Sequence, residues 1–432
     1  MDRVALESHS NALSAAIKSL AGTEPSPGQF VSNAPQEAKA QILASVESIK
    51  RLVVGPTEFL QELARQVEML ACLQWLAEFG ILTCIPSDVS IQVPMKDIAD
   101  LTSVPTAQLG RVVRLLGTAG FLQEREAGCV AHTRLSACFC TDQALLDAAI
   151  FLARWVAPAA LQMPAATRRF GASEEPTECA YSLARNSNRS FHSALQEGPK
   201  LQRQWFAYLS LAGGLHHEDE AVADVLSGLQ WKNLGPACIV EAGATSTPMA
   251  AVLADKFPNL RLIVQIDNAN SSPLIRAPAW SHGRPSSSSR GGDITVTYRA
   301  AGTAQPMTAA TVYIIHPPSL RPASARDTAG ADFRAELRVH IDLVRSGSAL
   351  ILVPTARLLP EPGSIADPQV EGVARVRDLS MYQLGNENEM ELSELSSTIE
   401  KVGDELGRLV ITRHLRSHSN LTMALVVKYQ AY

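Results

Sequence analysis

Residues 240 to 247, Val-Glu-Ala-Gly-Ala-Thr-Ser-Thr, follow the β-branched run CIV and open an alanine-rich helical stretch. A strand that turns sharply into a helix gathers backbone N–H groups and the positive end of a helix dipole, the arrangement that receives a polar or anionic ligand. Gly243 supplies the missing Cβ that permits close approach and unusual φ. Ala244, Thr245 and Thr247 add bulk, and the threonines add hydroxyls. Glu241 keeps an acid at the strand end, and Asp267 closes the next strand, LRLIVQID, where a carboxylate can take a ribose diol. Farther on, His316 ends TVYIIH, Arg321 follows in PPSLRP, and Glu361 and Glu389 lie in LLPEPG and GNENE. An imidazole, a guanidinium and two carboxylates are the groups that move protons or stabilise charge developing beside a carbonyl. His216 and His217 in LHHEDE are neighbours that point different ways on a helix, so a hydrated helix start is expected there and no metal site. There is no G-x-S-x-G elbow and no P-loop lysine motif.

The elements that must position these groups fall into four stretches of the 432 residues. Residues 1–66 carry two amphipathic patterns, near 5–20 and 37–52, parted by a Pro/Gly/Ser-rich break. Running from the end of that stretch into the second, 67–142, a helix is expected from Pro56 to Pro86, apolar on more than one face and so suited to a dimer interface. Then VPMKDIADLTS, VPTAQLGRVVRLLGTAGFLQE and REAGCVAHT read as helix, turn, helix and hairpin, a winged helix whose second helix offers only Arg111 and Arg114 for nucleic acid. A scaffold role for the wing is the expectation. Residues 143–227 look helical. From 228 to 432, short β-branched runs alternate with helices at 248–256, 328–345 and 391–405 and end in a hairpin, which predicts a parallel sheet covered on both faces. The Ser/Pro/Gly-rich stretch 268–292 is expected to be a mobile loop.

Apolar content of 46%, charge of 19% and a net charge of −5 describe a globular protein with no general attraction to nucleic acid or acidic membranes. The seven scattered cysteines, Cys138 and Cys140 among them, suit buried reduced thiols in the cytoplasm. No secretory h-region and no uninterrupted apolar run of about 18 residues is seen.

The order of these elements, with HTRLSACF (132–139), EEPTECAYSLA (174–184), FPNLRLIVQ (257–265), QPMTAATVYIIH (305–316), LLPEPG (358–363), RDLSMYQLGNENE (377–389) and the closing hairpin, resembles the class I O-methyltransferases of plant and fungal secondary metabolism. The resemblance runs from about residue 55 to 430. It implies an α/β protein: an N-terminal helical and winged-helix dimerisation domain, then a Rossmann-like domain holding S-adenosylmethionine through Glu241, Gly243, Ala244, Thr245 and Asp267. The family turn, V-D-x-G-G-G-x-G, keeps one glycine here, and the family's Asp-Phe beyond the third strand is missing from YRAAGTAQP. The family's general base, a histidine in His-Asp-Trp, falls on Leu320, with Arg321 and Pro322 after it. A leucine accepts no proton.

A retained cofactor cleft with a cation where the base should be is similar to the S-adenosylmethionine-dependent pericyclases of fungal pyridone alkaloid pathways. The resemblance then implies a homodimeric enzyme that dehydrates a pyridone precursor and steers an Alder-ene or hetero-Diels–Alder closure, without consuming the cofactor. His316, Arg321 and Glu389 are the implied catalytic residues; Trp155, Gln162, Met163, His192, Tyr208, Met381 and Asn386 line the implied substrate chamber, with Trp205 and Gln383 beside them. The alternatives are an O-methyltransferase with His316 as a displaced base, and a non-enzymatic regulator that uses the wing and a dead cleft to bind partners or DNA.

Overall fold

The computed structural model describes residues 2–21, 34–215, 218–244, 247–266, 294–317, 326–347, 349–355, 358–362, 368–417 and 422–432. Helices α1 (Arg3–Ala21) and α2 (Ala34–Val53) pack on each other as a hairpin. Helix α3 (Pro56–Glu78) begins with proline at its first position and with the Glu58 carboxylate accepting from the Gly55 N–H. The long helix expected through residue 86 breaks at Gly80, whose φ of 63° is left-handed, and resumes as the short α4 (Ile81–Cys84). Along α3, Phe59, Leu60, Leu63 and Val67 form an exposed apolar stripe.

The winged element is β1 (Val93–Pro94), α5 (Met95–Thr102), α6 (Thr106–Thr118), β2 (Leu122–Gln123) and β3 (Cys129–His132), with strand order β1-β3-β2. Leu109, Val112, Val113 and Leu116 recur at helical spacing on α6 and close over Ile98, Leu122 and Val130. Two of the seven cysteines, Cys72 and Cys179, are buried; Cys138 is exposed, which corrects the expectation of two buried thiols in ACFC.

After α7 (Arg134–Thr141), α8 (Gln143–Phe151) passes through a π turn at Leu152–Val156 into α9 (Ala157–Phe170). Pro158, which has no N–H to return to the Arg154 carbonyl, lies just beyond the widened turn. The stretch Gln143–Phe170 is long and apolar enough to cross a membrane by composition, although the sequence shows no uninterrupted run. In the fold it packs on α12 (Pro199–Leu211), where its buried Asp147 meets Arg203 at 2.5 Å. The short helices α10 (Ala180–Arg185) and α11 (Phe191–Glu197) complete this layer.

Beyond α13 (Glu218–Ser227), the strands β4 (Cys238–Ala244), β5 (Arg261–Ile266), β6 (Ile294–Tyr298), β7 (Val312–Ile315) and β8 (Leu350–Thr355) are parallel. Two further short strands, β9 (Leu358–Leu359) and β10 (Met390–Glu391), pair with each other, and β11 (Gly407–Arg416) and β12 (Met423–Ala431) close the large sheet antiparallel. Its order is β11-β12-β8-β7-β4-β5-β6. One face packs Val240, Ile263, Tyr313 and Ile351 against Phe333 and Leu337 of α15 (Arg326–Val344); the other packs Ile239, Leu262 and Ile314 against α13, α14 (Pro248–Lys256) and Trp231. Alternate residues serve opposite faces, so both periodicities in the sequence are explained by one doubly covered sheet. The last helices are α16 (Pro368–Gly385) and α17 (Leu392–Glu400); the latter stops short of the expected residue 405 and yields Glu391 to β10.

Candidate functional site

The chain leaves β4 in one direction toward β5 and β6 and returns on its other side with β7 and β8, so the strand order reverses between β4 and β7. A crevice at the carboxyl ends of such strands is where open α/β sheets bind ligands. Glu241 of β4 and His316, just past β7, face each other across that point, with His316 Nε2 2.8 Å from Glu241 Oε1. Glu241 is buried and its second oxygen has no hydrogen-bond partner among the described residues. Gly243 takes a φ of 76° where the pairing with β5 slips between Ala242 and Ala244. Among the described residues an added Cβ there would meet nothing within 4 Å; the backbone angle is what calls for glycine. Ala244 is a buried strand residue. Thr245, Asp267 and Arg321, with the stretch 268–292 and His216 and His217, lie outside the described residues.

Two strands over from β4, side chains join the end of β6 to its neighbours. Arg299 donates from Nε to Gln265 Oε1 at 2.9 Å and from Nη1 to the Thr303 carbonyl at 2.7 Å, and its Nη2 pairs with Glu336 of α15. Glu336 also accepts from the Gly302 N–H at 2.6 Å, and Gln265 and Gln305 exchange amide hydrogen bonds at 2.7 and 2.9 Å. His340 completes the cluster, 3.1 Å from Gln305 Nε2 and 2.7 Å from the Glu336 carbonyl. Burial, and then the Arg299 charge, push its pKa down to about 3, so it stays neutral. Set against S-adenosylmethionine, the β4 end offers a buried acceptor at Glu241, but beyond β6, where the resemblance's missing Asp-Phe would have received the adenine, the described side chains already hydrogen-bond one another. The described residues do not fit the whole cofactor.

The expected substrate chamber is packed. Phe151, Trp155, Tyr181, Phe191, Trp205 and Tyr208 form a continuous aromatic cluster, with Phe151 and Tyr208 centroids 5.1 Å apart and Trp205 stacked on Tyr208 at 6.0 Å. Trp155 stacks on Tyr181 beneath the Arg185 guanidinium. The Tyr208 hydroxyl donates to Ser380 Oγ at 3.0 Å, and Met381 is core. Gln383 Nε2 reaches Met163 Sδ at 3.7 Å, Gln162 is half-buried on α9, and Asn386 donates to the Glu175 and Glu178 carbonyls at 2.8 and 3.1 Å with a left-handed φ of 55°. The crevice that Met163, Gln383 and Asn386 line holds about 20 Å³, room for about one water molecule.

Glu389 is not free for catalysis. Both its oxygens pair with Arg377, Nη2 to Oε2 at 2.7 Å and Nε to Oε1, and Arg377 Nη1 also donates to the Gly213 carbonyl at 2.6 Å. Both side chains are 1% exposed or less. Arg377 is thus the partner of this carboxylate, and Glu361 is exposed. Sequence reasoning missed Arg377, although it lies on the α16 stripe Ala374, Arg377, Met381, Leu384, at core spacing. His192, expected against substrate, meets the buried Glu387 at 3.1 Å. Burial alone would lower its pKa, but the Glu387 hydrogen bond and charge outweigh this and raise it. Among the described residues no His, Cys, Asp and Glu group could hold a metal.

Comparison with known proteins settles the family. Over 413 residues the chain is 52% identical to the notoamide biosynthesis cluster transcriptional coactivator of Aspergillus sp. (strain MF297-2), covering 91% of this chain and 88% of that one. The chain belongs to the family of these cluster coactivators. The monodictyphenone cluster transcriptional coactivator of Emericella nidulans is 38% identical and covers 99% of this chain and 98% of its own. No protein-family model matches. Among solved structures, a pericyclic reaction enzyme aligns with a TM-score of 0.65 at 14% identity over 98% of this chain and all of its own. The LepI complex with SAM gives 0.64 at 14% over 98% and 99%, and the mitomycin 7-O-methyltransferase MmcR gives 0.57 at 17% over 87% and 98%. The chain therefore has the class I O-methyltransferase-like fold, which the pericyclic reaction enzyme and MmcR share.

Breaking the buried pair by Glu389→Gln or Arg377→Met leaves one charge uncompensated and is expected to cost about 3 to 5 kcal/mol in denaturant unfolding. A loss below about 1 kcal/mol would mean the pair is hydrated. For His192, the folded pKa lies above its ordinary 6.5, so its contribution is fully present below that value and is lost as pH rises through the folded value. The stability gap between the native chain and His192→Gln should therefore be widest in mild acid and narrow with rising pH; a gap independent of pH would show that His192 titrates as it does unfolded.

Proposed function

We propose that the chain is a transcriptional coactivator of a secondary-metabolite gene cluster, acting by binding other proteins on a methyltransferase scaffold that has given up small-molecule turnover. The observation that carries this reading is the whole-length likeness to two coactivators of such clusters. Site geometry supports it. In the expected chamber the crevice beside Gln383 holds roughly 20 Å³, against the about 300 to 1,000 Å³ that a drug-sized substrate needs; the larger groove of about 660 Å³ is lined by Glu47, Lys50, Arg51, Gln66 and Val376, none of them an expected site residue. The carboxylate that would orient a base is spent on Arg377, and the base position holds Leu320.

Direct DNA binding is not part of the proposal. Arg114 of α6 is engaged by Glu124 at 2.8 and 3.1 Å, and the net charge is −5, so a partner supplies the DNA contact. The work belongs in the nucleus as well as the expected cytoplasm. The α3 stripe of Phe59, Leu60, Leu63 and Val67 is where the expected second copy packs. Light scattering should give twice the chain mass, falling to one chain for Leu60→Asp with Leu63→Asp; a native monomer would remove the dimer.

The pericyclase is the second reading, favoured by one observation: an imidazole held by a buried carboxylate at the switch point, where it would polarise a carbonyl. It requires dehydration and Alder-ene or hetero-Diels–Alder closure of a pyridone with the cofactor intact. A displaced-base methyltransferase would instead release S-adenosylhomocysteine.

The test of the coactivator is a yeast reporter driven by a cluster promoter. The chain should raise output several-fold only when the cluster's DNA-binding activator is co-expressed. No gain with the activator present, while both proteins accumulate, would contradict the reading.

A further inference from the structure

We propose that Arg299 plugs the adenine side of the carboxyl-edge crevice, so that the chain does not take S-adenosylmethionine and its action is independent of that cofactor. The argument is an accounting of donors and acceptors at the end of β6. An adenine ring brings an exocyclic amine that must donate and ring nitrogens that must accept. A guanidinium has donors only, and all three nitrogens of Arg299 are engaged, by Gln265, by the Thr303 carbonyl and by Glu336. The acceptors beside it are each engaged within the cluster as well. One Glu336 oxygen holds Arg299 and the other the Gly302 N–H, while Gln265 Oε1 already receives both Arg299 and Gln305.

The cluster is also costly to open. Arg299 and Glu336 side chains are 7% and 6% exposed, so driving the guanidinium out to admit a base would leave a buried carboxylate without its cation. His340 cannot take over as that cation, because it is neutral and faces the same cluster. Every described member is satisfied by another, the condition under which a buried polar network is rigid and not adaptable. The network also fixes the loop after β6, through Gly302 and Thr303, to α15. Where the family's pattern has an acid and an aromatic residue to receive a base, this chain has turned the space into a structural joint.

Isothermal titration calorimetry of the full chain tests the proposal. The native chain should give no saturable heat with S-adenosylmethionine or with S-adenosylhomocysteine. The double variant Arg299→Ala with Glu336→Gln removes the plug together with its buried counter-charge and should gain saturable binding; Arg299→Ser with Glu336→Gln is the second version if the first does not give native circular dichroism. One-to-one binding by the native chain overturns the proposal. Absence of binding in both the native chain and a folded double variant overturns it too, since Arg299 would then not be what closes the crevice. The coactivator reading is judged by reporter output and is untouched by either result.

Discussion

The joint between α12, α16 and β10 rests on one guanidinium and one carboxylate, both withdrawn from water. Such a pair is stable only with near-ideal geometry, because each ion loses its hydration on burial. Here Arg377 meets both oxygens of Glu389 and spends its remaining donor on the Gly213 carbonyl. With Arg377 fixed, the rest of the α16 stripe follows: Ser380 reaches Tyr208, and Met381 and Leu384 enter the aromatic cluster. One constraint therefore both removes a carboxylate from chemistry and closes the chamber in which chemistry would occur.

The crevice at β4 and β7 has a different origin. It exists because the strand order reverses there, whatever side chains line it. A protein can keep such a crevice for the sake of its sheet, whose two faces bury Val240, Tyr313 and Ile351 on one side and Ile239, Leu262 and Ile314 on the other. Fold alone does not dictate function: the chain is similar over its whole length to named coactivators and in fold to a pericyclic reaction enzyme.

The sheet, the wing and the two N-terminal helices were legible because each rests on a period, two for strands and near 3.6 for helices, repeated over many residues. The break at Gly80 was hidden by apolar residues that continue through it, and the start of α17 after Glu391 by tertiary pairing of β9 with β10. The site was legible only in part. Glu241, Gly243 and His316 could be placed because they end strands. Glu389 was identified as a functional carboxylate, but its partner sits 12 residues away on a helix face that only packing reveals, and the joining of His192 to Glu387 depends on a contact 195 residues apart. The base-site leucine was visible from the outset; what it meant for function needed the relatives.

The central claim is that this methyltransferase-like scaffold regulates a pathway and does not catalyse a step in it. Its most direct test is to delete the gene in its native host and measure cluster transcripts and cluster metabolites in the same cultures. The account predicts that transcripts of the biosynthetic genes fall together and that all pathway products fall with them. Unchanged transcripts with accumulation of a single uncyclised or unmethylated precursor would contradict it.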